Sequence, residues 1–494
     1  MFRFNFTTDE FVGIIQEGAK ARLSDEEFIV CEIQRFLASK RRKEMLDGIR
    51  YYKGDHDILR HTRKIIGEKG ELIPAENLVN NRVIDNQYKK MVSQKNNYLV
   101  GQPITFTAEN KLYNDALSRV FSKNFLRKIK NVGRDSLNCG IGWLFLYYSE
   151  DGKLSFRRMR PFEIIPGWHD EEHTVLDYAI RIFETIVFEG RTEKTVQKVE
   201  VYHETGINRF ILDGSRLRTD EVPHSPYFTV TVDDEAAYNW LLIPLIPFKY
   251  NDDEIPLIRN VKSLQDGINS ILSNFQNNID EDPRNSILVL INYDGENLAE
   301  FRRNLSAYGA VKLTTVDGAH GDLKTLAVEV NAENYRTILE IFRKAIIENA
   351  MGYDAKDDKL GGNANQLNIM SMYNDIDMDA NETETEYQAS FEQLLHFVDL
   401  HLANTGEGDF ESESVEAIFN RDMLISETEI VNNIRNSEGI LSKETLVANH
   451  PFTTDPAVEL ERIEKEKAEA MADFGGDMFA RPQLSHHQTP GGEM

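Results

Sequence analysis

The segment 260–282, NVKSLQDGINSILSNFQNNIDED, decides how the rest of the chain is divided. Apolar side chains recur in it at intervals of three or four residues, which predicts an amphipathic helix with one narrow apolar side. Asn, Gln and Ser stand between these apolar residues. Gly267 weakens the predicted helix by roughly 1 kcal/mol, and Pro283 ends it. Such a helix is expected to be a rod with few neighbours. The apolar positions are Val261, Leu264, Ile268, Ile271, Phe275 and Ile279.

A short α/β unit follows this helix, and a second helix returns from it. The stretch 286–293 predicts a strand, 296–309 a helix, and 310–315 and 323–330 two further strands. At about 50 residues this unit is too small to have a secure core of its own. Because residues 332–351 again show helical spacing, the pattern predicts a two-helix stalk with a small α/β tip.

The chain before the stalk combines helices with a β unit. Charged segments at 9–23 and 25–52 predict helices, and a further helix is predicted up to residue 99. From about residue 142 to 231 the apolar residues alternate between turn sequences, which predicts a mostly antiparallel β unit. The face of the third helix is expected to carry Ile84, Tyr88, Met91, Lys95 and Leu99.

Glycine and proline end this third helix, in the stretch 96–106, NNYLVGQPITF. Gly101 is expected at the first position after the helix with a positive φ, and Pro103 prevents the helix from continuing. The chain then enters the predicted strand ITFTAEN. Both residues are therefore interpreted as structural.

Residues 364–405 contain neither glycine nor proline, and their apolar spacing predicts one long helix. About 36 helical residues would extend about 54 Å. Within it, the acids of 375–386 match the spacing of a calcium loop, but Ala380 stands where that loop requires glycine. A solvent- or channel-facing acidic surface is predicted instead. Its candidate residues are Asp375, Asp377, Asp379, Glu382 and Glu384.

The segment 353–363, YDAKDDKLGGN, interrupts the helical pattern just before the long helix. Its glycines permit unusual backbone angles, and its two lysines are the positive charges of an acidic neighbourhood. Two interpretations stay open, an ordinary interhelical loop and a mobile loop that touches an anionic partner. The candidate contact residues are Lys356, Lys359, Gly361, Gly362 and Asn363.

Capped helices are predicted for the C-terminal part. Gly439 ends one helix and Ser442 begins the next, while Asp455 with Pro456 forms an N-cap followed by proline at the first helical position. Residues 475–494 are interpreted as a mobile tail.

Composition and missing motifs exclude several function classes. The chain has 494 residues and a formal net charge of −26 without a visible basic patch, so tight binding of DNA phosphates is not expected. No apolar run approaches the roughly 20 residues that a bilayer requires, and no secretion signal is visible. Cys31 and Cys139 show neither disulfide nor zinc spacing.

No motif for catalysis or cofactor binding is found in the sequence. The glycine motifs of nucleotide and dinucleotide binding and the GxSxG nucleophile motif are missing. The segment 169–173, HDEEH, lies between predicted strands, so we expect a hairpin loop rather than a metal-binding helix. The sequence therefore predicts no catalytic residue, no metal, no cofactor and no membrane partner.

Several stretches, in this order, resemble the SPP1-type family of tailed-bacteriophage portal proteins. Each stretch is weak alone, but the ordered set is specific and covers about residues 45 to 470. The stretches are 80–106, 140–166, 243–254 leading into 260–282, 359–377 and 441–470.

The resemblance implies an α+β portal fold with defined parts. It implies a wing of N-terminal helices and a β unit, a two-helix stem, a small α/β clip, a tunnel loop, a long tunnel helix and a helical crown. The implied boundaries are wing 1–255, stem 256–282 and 332–351, clip 283–331, tunnel loop 352–365, tunnel helix with wing return 366–405, wing strand 406–420, crown 421–474 and tail 475–494.

The resemblance also implies a structural function and its partners. It implies a ring of about twelve copies at one capsid vertex of the virion, assembled in the host cytoplasm, through which double-stranded DNA is packaged and ejected. The implied partners are the large terminase, the major capsid and scaffolding proteins and a head-completion connector. Two alternatives stay open: a metal-dependent nucleic-acid enzyme using the acidic helix or HDEEH, and an acidic helical scaffold unrelated to DNA.

Overall fold

The computed structural model describes most of the chain, in several stretches. The described residues are 25–66, 70–75, 78–232, 234–281, 287–291, 322–326, 332–354, 366–421, 427–450, 452–453 and 459–467. The chain divides into two compact units, Met1–Asp354 with Asn374–Asp422 and Ala355–Tyr373 with Met423–Met494. The helices predicted at 9–23 and 296–309, the caps at Asp455 and Pro456 and the predicted tail 475–494 lie outside the described residues.

Helices of the first unit precede and flank the β structure. Ser39 begins the second of them as an N-cap, since its side chain accepts a hydrogen bond from the backbone N–H of Arg42. The helices are α1 Asp25–Leu37, α2 Lys40–Tyr52, α3 Gln87–Val100, α4 Lys111–Val120 and α5 Lys123–Cys139.

The predicted antiparallel β unit is confirmed. Its larger sheet has five antiparallel strands in the order β10-β9-β8-β7-β6, and a three-stranded sheet has the order β13-β4-β5. Strands β11 and β12 form a hairpin. The bounds are β4 Ile141–Tyr148, β5 Leu154–Met159, β6 Ile164–Trp168, β7 Leu176–Glu189, β8 Thr192–His203, β9 Gly206–Asp213, β10 Arg216–Ser225, β11 Phe228–Val232, β12 Asp234–Tyr238 and β13 Leu245–Lys249.

Short two-stranded sheets complete the first unit. Strand β1 Lys64–Ile66 pairs with β2 Leu72–Pro74, and β3 Thr105–Ala108 pairs with β16 Val415–Ile418. Because β3 and β16 are about 300 residues apart in sequence, this pairing closes the unit after the long helix.

Two helices form the predicted stalk, α6 Ile258–Glu281 and α7 Ala332–Asn349. They pack closely at Gly267, where an added Cβ would lie 2.5 Å from Cε2 of Phe342. Glycine is therefore needed for the approach of the two helices, which outweighs its low helix propensity. Of the predicted α/β tip the structure describes the antiparallel pair β14 Ile287–Ile291 and β15 Asp322–Leu326.

The long helix is confirmed as α8, Gln366–Asn404, with 39 residues and a length of about 58 Å. In the second unit, α9 Glu427–Asn436 and α10 Lys443–Ala448 follow, and residues 459–467 are helical. Ser442 is the predicted N-cap, since its hydroxyl accepts a hydrogen bond from Thr445 N. Gly439 has the left-handed φ of 86° that suits the end of a helix.

Two details of α3 differ from the prediction. The helix begins after Asn86, whose side chain caps it, so Ile84 precedes the helix instead of lying on its face. Gly101 has φ −71°, and the expected positive φ is wrong. Glycine is required for a different reason, because an added Cβ would lie 2.0 Å from the carbonyl oxygen of Asn97. The helix does end at Val100, before Pro103, as predicted.

Candidate functional site

The long helix α8 is the candidate site that the sequence singled out and the structure describes. Its 39 residues include eight carboxylates and neither lysine nor arginine. The structure divides the five candidate acids into three groups that differ in burial. Asp375 and Glu382 are exposed, Asp377 and Glu384 are half-buried, and Asp379 is buried.

Asp379 lies inside the first unit, so the expected channel-facing position is wrong for this residue. Its Oδ2 lies 2.6 Å from Nζ of Lys95, and the hydroxyl of Tyr250 donates to its Oδ1 at 2.6 Å. The Lys95 side chain is 2% exposed and also donates to the carbonyl oxygen of Met351 at 3.3 Å. The helix therefore uses this acid to neutralise a buried cation, which explains the lysine on the apolar face of α3.

Burial alters the protonation of this cluster. The pKa of Lys95 is lowered by desolvation, which the attraction of Asp379 opposes. The pKa of Tyr250 is raised by burial and by the neighbouring Asp379 carboxylate. A neutral phenol next to a paired carboxylate can only donate its proton, which fixes the direction of that hydrogen bond.

Asp377 and Glu384 converge on one cation. They lie seven residues apart on α8, and the Arg421 guanidinium forms an ion pair with each. The same guanidinium donates to Oδ1 of Asn381 at 2.7 Å, and Tyr98 donates its hydroxyl proton to Asp377. This contact joins α8 to the residues that follow β16, and no signal in the sequence pointed to Arg421.

Asp375 and Glu382 form an exposed acidic face on α8, two helical turns apart. Exposed Ser371, Met378 and Thr385 lie on the same side. The pKa of Glu382 is raised, because partial burial and repulsion from Asp379 and Glu386 disfavour its charged form. The acidic face therefore consists of two exposed carboxyl groups, and its Glu382 gives up its proton less readily than an isolated glutamate.

The candidate loop residues cannot be placed in the same way. Lys356, Lys359, Gly361, Gly362 and Asn363 lie outside the described residues. Their role stays a prediction from the sequence.

The HDEEH segment is a hairpin loop between the antiparallel strands β6 and β7, as predicted. Its two histidines contact different carboxylates: His169 Nδ1 lies 3.0 Å from Asp177 Oδ1, and His173 Nδ1 lies 2.8 Å from Glu254 Oε1. Burial and the nearby Arg41 lower the pKa of His173 to about 4, so neutral His173 donates to Glu254. In the described stretches, no three His, Cys, Asp or Glu side chains are grouped to hold a metal ion.

A polar stripe on the stalk helix α6 is a feature that the sequence analysis missed. Four buried polar side chains recur there every four residues and bind the backbone of the segment that precedes α3 and of the first turn of α3. The signal is present in the sequence as Asn, Gln and Ser at constant spacing, but the prediction of a rod with few neighbours made no use of that spacing. The stripe consists of Gln265, Asn269, Ser273 and Asn277.

Each member of the polar stripe accepts a backbone N–H, and Gln265 also donates to the carbonyl oxygen of Asp85 at 2.7 Å. The stripe thereby satisfies backbone groups that would otherwise be buried without partners. The distances are 2.7 Å from Asn81 N to Asn277 Oδ1, 2.9 Å from Val83 N to Ser273 Oγ, 3.2 Å from Asp85 N to Asn269 Oδ1 and 3.0 Å from Tyr88 N to Gln265 Oε1.

No helix in the described part of the chain is long and apolar enough to cross a membrane. The family model described as phage portal protein, SPP1 Gp6-like, matches residues 38–473. The portal protein of Bacillus phage SPP1 is 28% identical over 487 residues, which cover 95% of this chain and 93% of that protein. The portal protein of Clostridium phage phiCD119 is 25% identical over 454 residues, 89% of this chain and 96% of that protein.

Proposed function

This chain belongs to the SPP1 Gp6-like family of phage portal proteins, and on that premise we propose that copies of it form a ring at one capsid vertex of the virion. Double-stranded DNA passes through the ring during packaging and ejection. The ring has about twelve subunits and acts as a structural conduit without enzymatic activity of its own. Its partners are the large terminase, the capsid and scaffolding proteins and a head-completion connector.

The acidic face of α8 is the observation that supports this function most directly. The exposed Asp375 and Glu382 lie on a helix of 39 residues without lysine or arginine, so their negative charge repels the phosphates of a duplex. A conduit requires weak contacts, because each tight phosphate contact with a cation would resist translocation. Within the proposed ring, Asp375 and Glu382 face the channel, while Asp377, Asp379 and Glu384 fix the helix to the rest of the subunit.

The parts of the portal follow the order of the elements. Helices α6 and α7 are the stem, the pair β14 and β15 belongs to the clip, and the sheets of residues 141–249 belong to the wing. Residues 352–365 form the tunnel loop, α8 is the tunnel helix and residues 421–474 form the crown. The candidate DNA contacts of the tunnel loop are Lys356, Lys359, Gly361, Gly362 and Asn363, and its two lysines make transient contacts with DNA.

Electron microscopy of the purified protein tests the ring. We expect closed rings with a central hole wide enough for a duplex. A protein that stays monomeric at micromolar concentrations in low and high salt would contradict the proposal. Incubation of the rings with DNA and Mg²⁺ or Mn²⁺ should leave the DNA uncut, and specific cleavage would favour the metal-dependent enzyme instead.

The loop contact has its own test in a reconstituted packaging reaction. Replacing Lys356 and Lys359 together by Ala should leave ring assembly intact and change the yield of packaged DNA or its retention. A control with Lys344→Ala, an exposed lysine of the stem helix, removes a charge outside the loop. Unchanged packaging in the loop variant would contradict the contact role without affecting the ring.

A further inference from the structure

A cleft between α3 and α5 concentrates positive charge in a chain whose formal net charge is −26. Arg127, Lys130 and Arg134 line it from α5, at intervals of three and four residues that place them on one side of the helix. Ser93 and Asn97 of α3 line the opposite wall with polar groups. We call this cavity the basic cleft.

Neutral groups orient the cations of the basic cleft without neutralising them. Arg134 Nη2 donates to Oδ1 of Asn131 at 2.8 Å, and its Cζ lies 5.6 Å from the centre of the Tyr52 ring. Arg127 Nη2 donates to Oδ1 of Asn124 at 3.3 Å. An amide oxygen and an aromatic face hold a guanidinium in place but leave its full charge available to an anion.

This arrangement differs from that of other arginines in the same unit. Arg158 pairs with Asp135, and Arg181 pairs with both Glu163 and Glu200. Among the residues that the structure describes, no carboxylate forms an ion pair with any of the three cations of the basic cleft. In a chain with 82 acidic and 56 basic residues, three unpaired cations in one cavity are available for a partner.

We propose that the basic cleft binds carboxylate side chains of a second copy of this chain. The inference rests on the proposed ring, in which each subunit presents a different surface to each of its two neighbours. Copies with a charge of −26 repel one another, so a cavity of unpaired cations on one surface lowers the free energy of contact with acidic residues on the next.

The size of the cleft favours a side chain over a nucleic acid. Its volume is about 150 Å³, enough for several water molecules. That space holds one or two carboxylate groups, whereas a duplex could reach it only with a single phosphate. Strong DNA binding requires neutralisation of many phosphates along a surface. Binding of a duplex to the cleft is therefore the alternative that the experiments below distinguish.

Zero-length cross-linking identifies the occupant, because among the described side chains that line the cleft Lys130 alone carries an amine. Rings assembled from a mixture of ¹⁴N- and ¹⁵N-labelled chains are treated with a carbodiimide, which joins an amine to a carboxylate in contact with it. We expect Lys130 in peptides that combine both labels, joined to Asp or Glu. Rings in which Lys130 never joins a neighbouring copy would contradict the proposal.

A charge-removal variant measures the energetic effect. Replacing Arg127, Lys130 and Arg134 together by Gln removes their charges and keeps most of the aliphatic part of each side chain. The concentration for half-assembly should rise roughly tenfold at low salt. The difference should shrink in high salt, which screens the charges. The matched control replaces three exposed cations elsewhere, Lys153, Arg191 and Arg216, by Gln. Melting temperatures should show that both variants fold.

The outcomes distinguish the cleft from the ring. If the wild-type chain forms rings and the cleft variant assembles equally well, the proposed role of the basic cleft is wrong and the proposed ring is unaffected. A wild-type chain that forms no ring would contradict the proposed function and the cleft with it. If the cleft variant assembles like the control but loses salt-sensitive binding of a duplex fragment, the cleft binds nucleic acid and the proposal is wrong.

Discussion

Two polar helices of this molecule use their polar side chains in opposite ways. Helix α6 buries uncharged groups, the polar stripe, against the backbone of another segment, whereas α8 exposes charges and buries a carboxylate only where a cation meets it. Neutral groups lose less solvation energy on burial than charged ones, so they suit the interior. The polar side of a helix can therefore lie on the surface when its side chains are charged, or in the interior when they are neutral and hydrogen-bonded.

The largest effect is expected where α8 buries a charge. Asp379→Ala should destabilise the protein by about 3–5 kcal/mol, because it leaves Lys95 buried without its counter-ion. The control Asp375→Ala, on the exposed face, should change the free energy of unfolding by less than about 0.5 kcal/mol. Urea unfolding measures both, and equal effects would contradict the distinction between the two acids.

A smaller effect is expected where α6 buries an amide. Gln265→Leu should cost about 2–4 kcal/mol, since it leaves the N–H of Tyr88 and the carbonyl of Asp85 without their partner. Ser270→Ala alters an exposed polar side chain of the same helix and should be nearly neutral. If both substitutions proved neutral in urea unfolding, the polar stripe would not stabilise the fold.

Acidification should weaken the region of the polar stripe. His56 is fully buried, its Nδ1 lies 2.8 Å from Nδ2 of Asn269, and burial lowers its pKa. The His56 imidazole binds a proton more tightly in the unfolded chain than in the folded one. Its contribution to the free energy of unfolding is therefore fully present above the ordinary pKa of about 6.5 and is lost as the pH falls through the lowered pKa.

Urea unfolding between pH 7.5 and 5 measures this dependence. His56→Gln should reduce the loss of stability on acidification, while His169→Gln, at an exposed loop position, should leave it unchanged. The same dependence in both variants would show that other groups, such as His173 with its pKa of about 4, dominate.

The smallest effect on stability is expected at the acidic face of α8. The double substitution Asp375→Asn and Glu382→Gln should leave the free energy of unfolding within about 0.5 kcal/mol of the wild type. In the proposed ring it should nevertheless slow DNA passage or increase DNA retention, because repulsion of the phosphates is reduced. Packaging kinetics that stay the same in low salt would count against a channel position for these two residues.

Local patterns predicted much of the fold, and contacts between distant residues account for what they missed. Period-two alternation marked the antiparallel strands and apolar spacing marked α6, α7 and α8, because these signals arise within one element. The requirement for glycine at 267 arises from Phe342, and the requirement at 101 from the carbonyl of Asn97. Neither requirement can be recognised from the helix propensity of glycine.

The candidate site was predicted in part, for the same reason. The acidic composition of α8 is a property of the sequence, but the division into exposed Asp375 and buried Asp379 depends on Lys95 and Tyr250 of other elements. Arg421 could not have been selected, because one arginine among many acids carries no local signal. A polar repeat every four residues on α6 could have been noticed, and it would have indicated a buried polar face.

The polar stripe has a consequence for insertions and deletions. Four residues of helix advance about 6.0 Å, and two residues of extended chain advance about 6.6 Å. Because these two lengths are nearly equal, Asn277, Ser273 and Asn269, four residues apart on the helix, accept from residues 81, 83 and 85, two residues apart on the extended segment. A one-residue deletion among residues 78–84 would turn every second N–H group away from the polar stripe. A two-residue deletion would let each N–H group bind the next member of the stripe instead. Sequence length in this segment should therefore vary in steps of two.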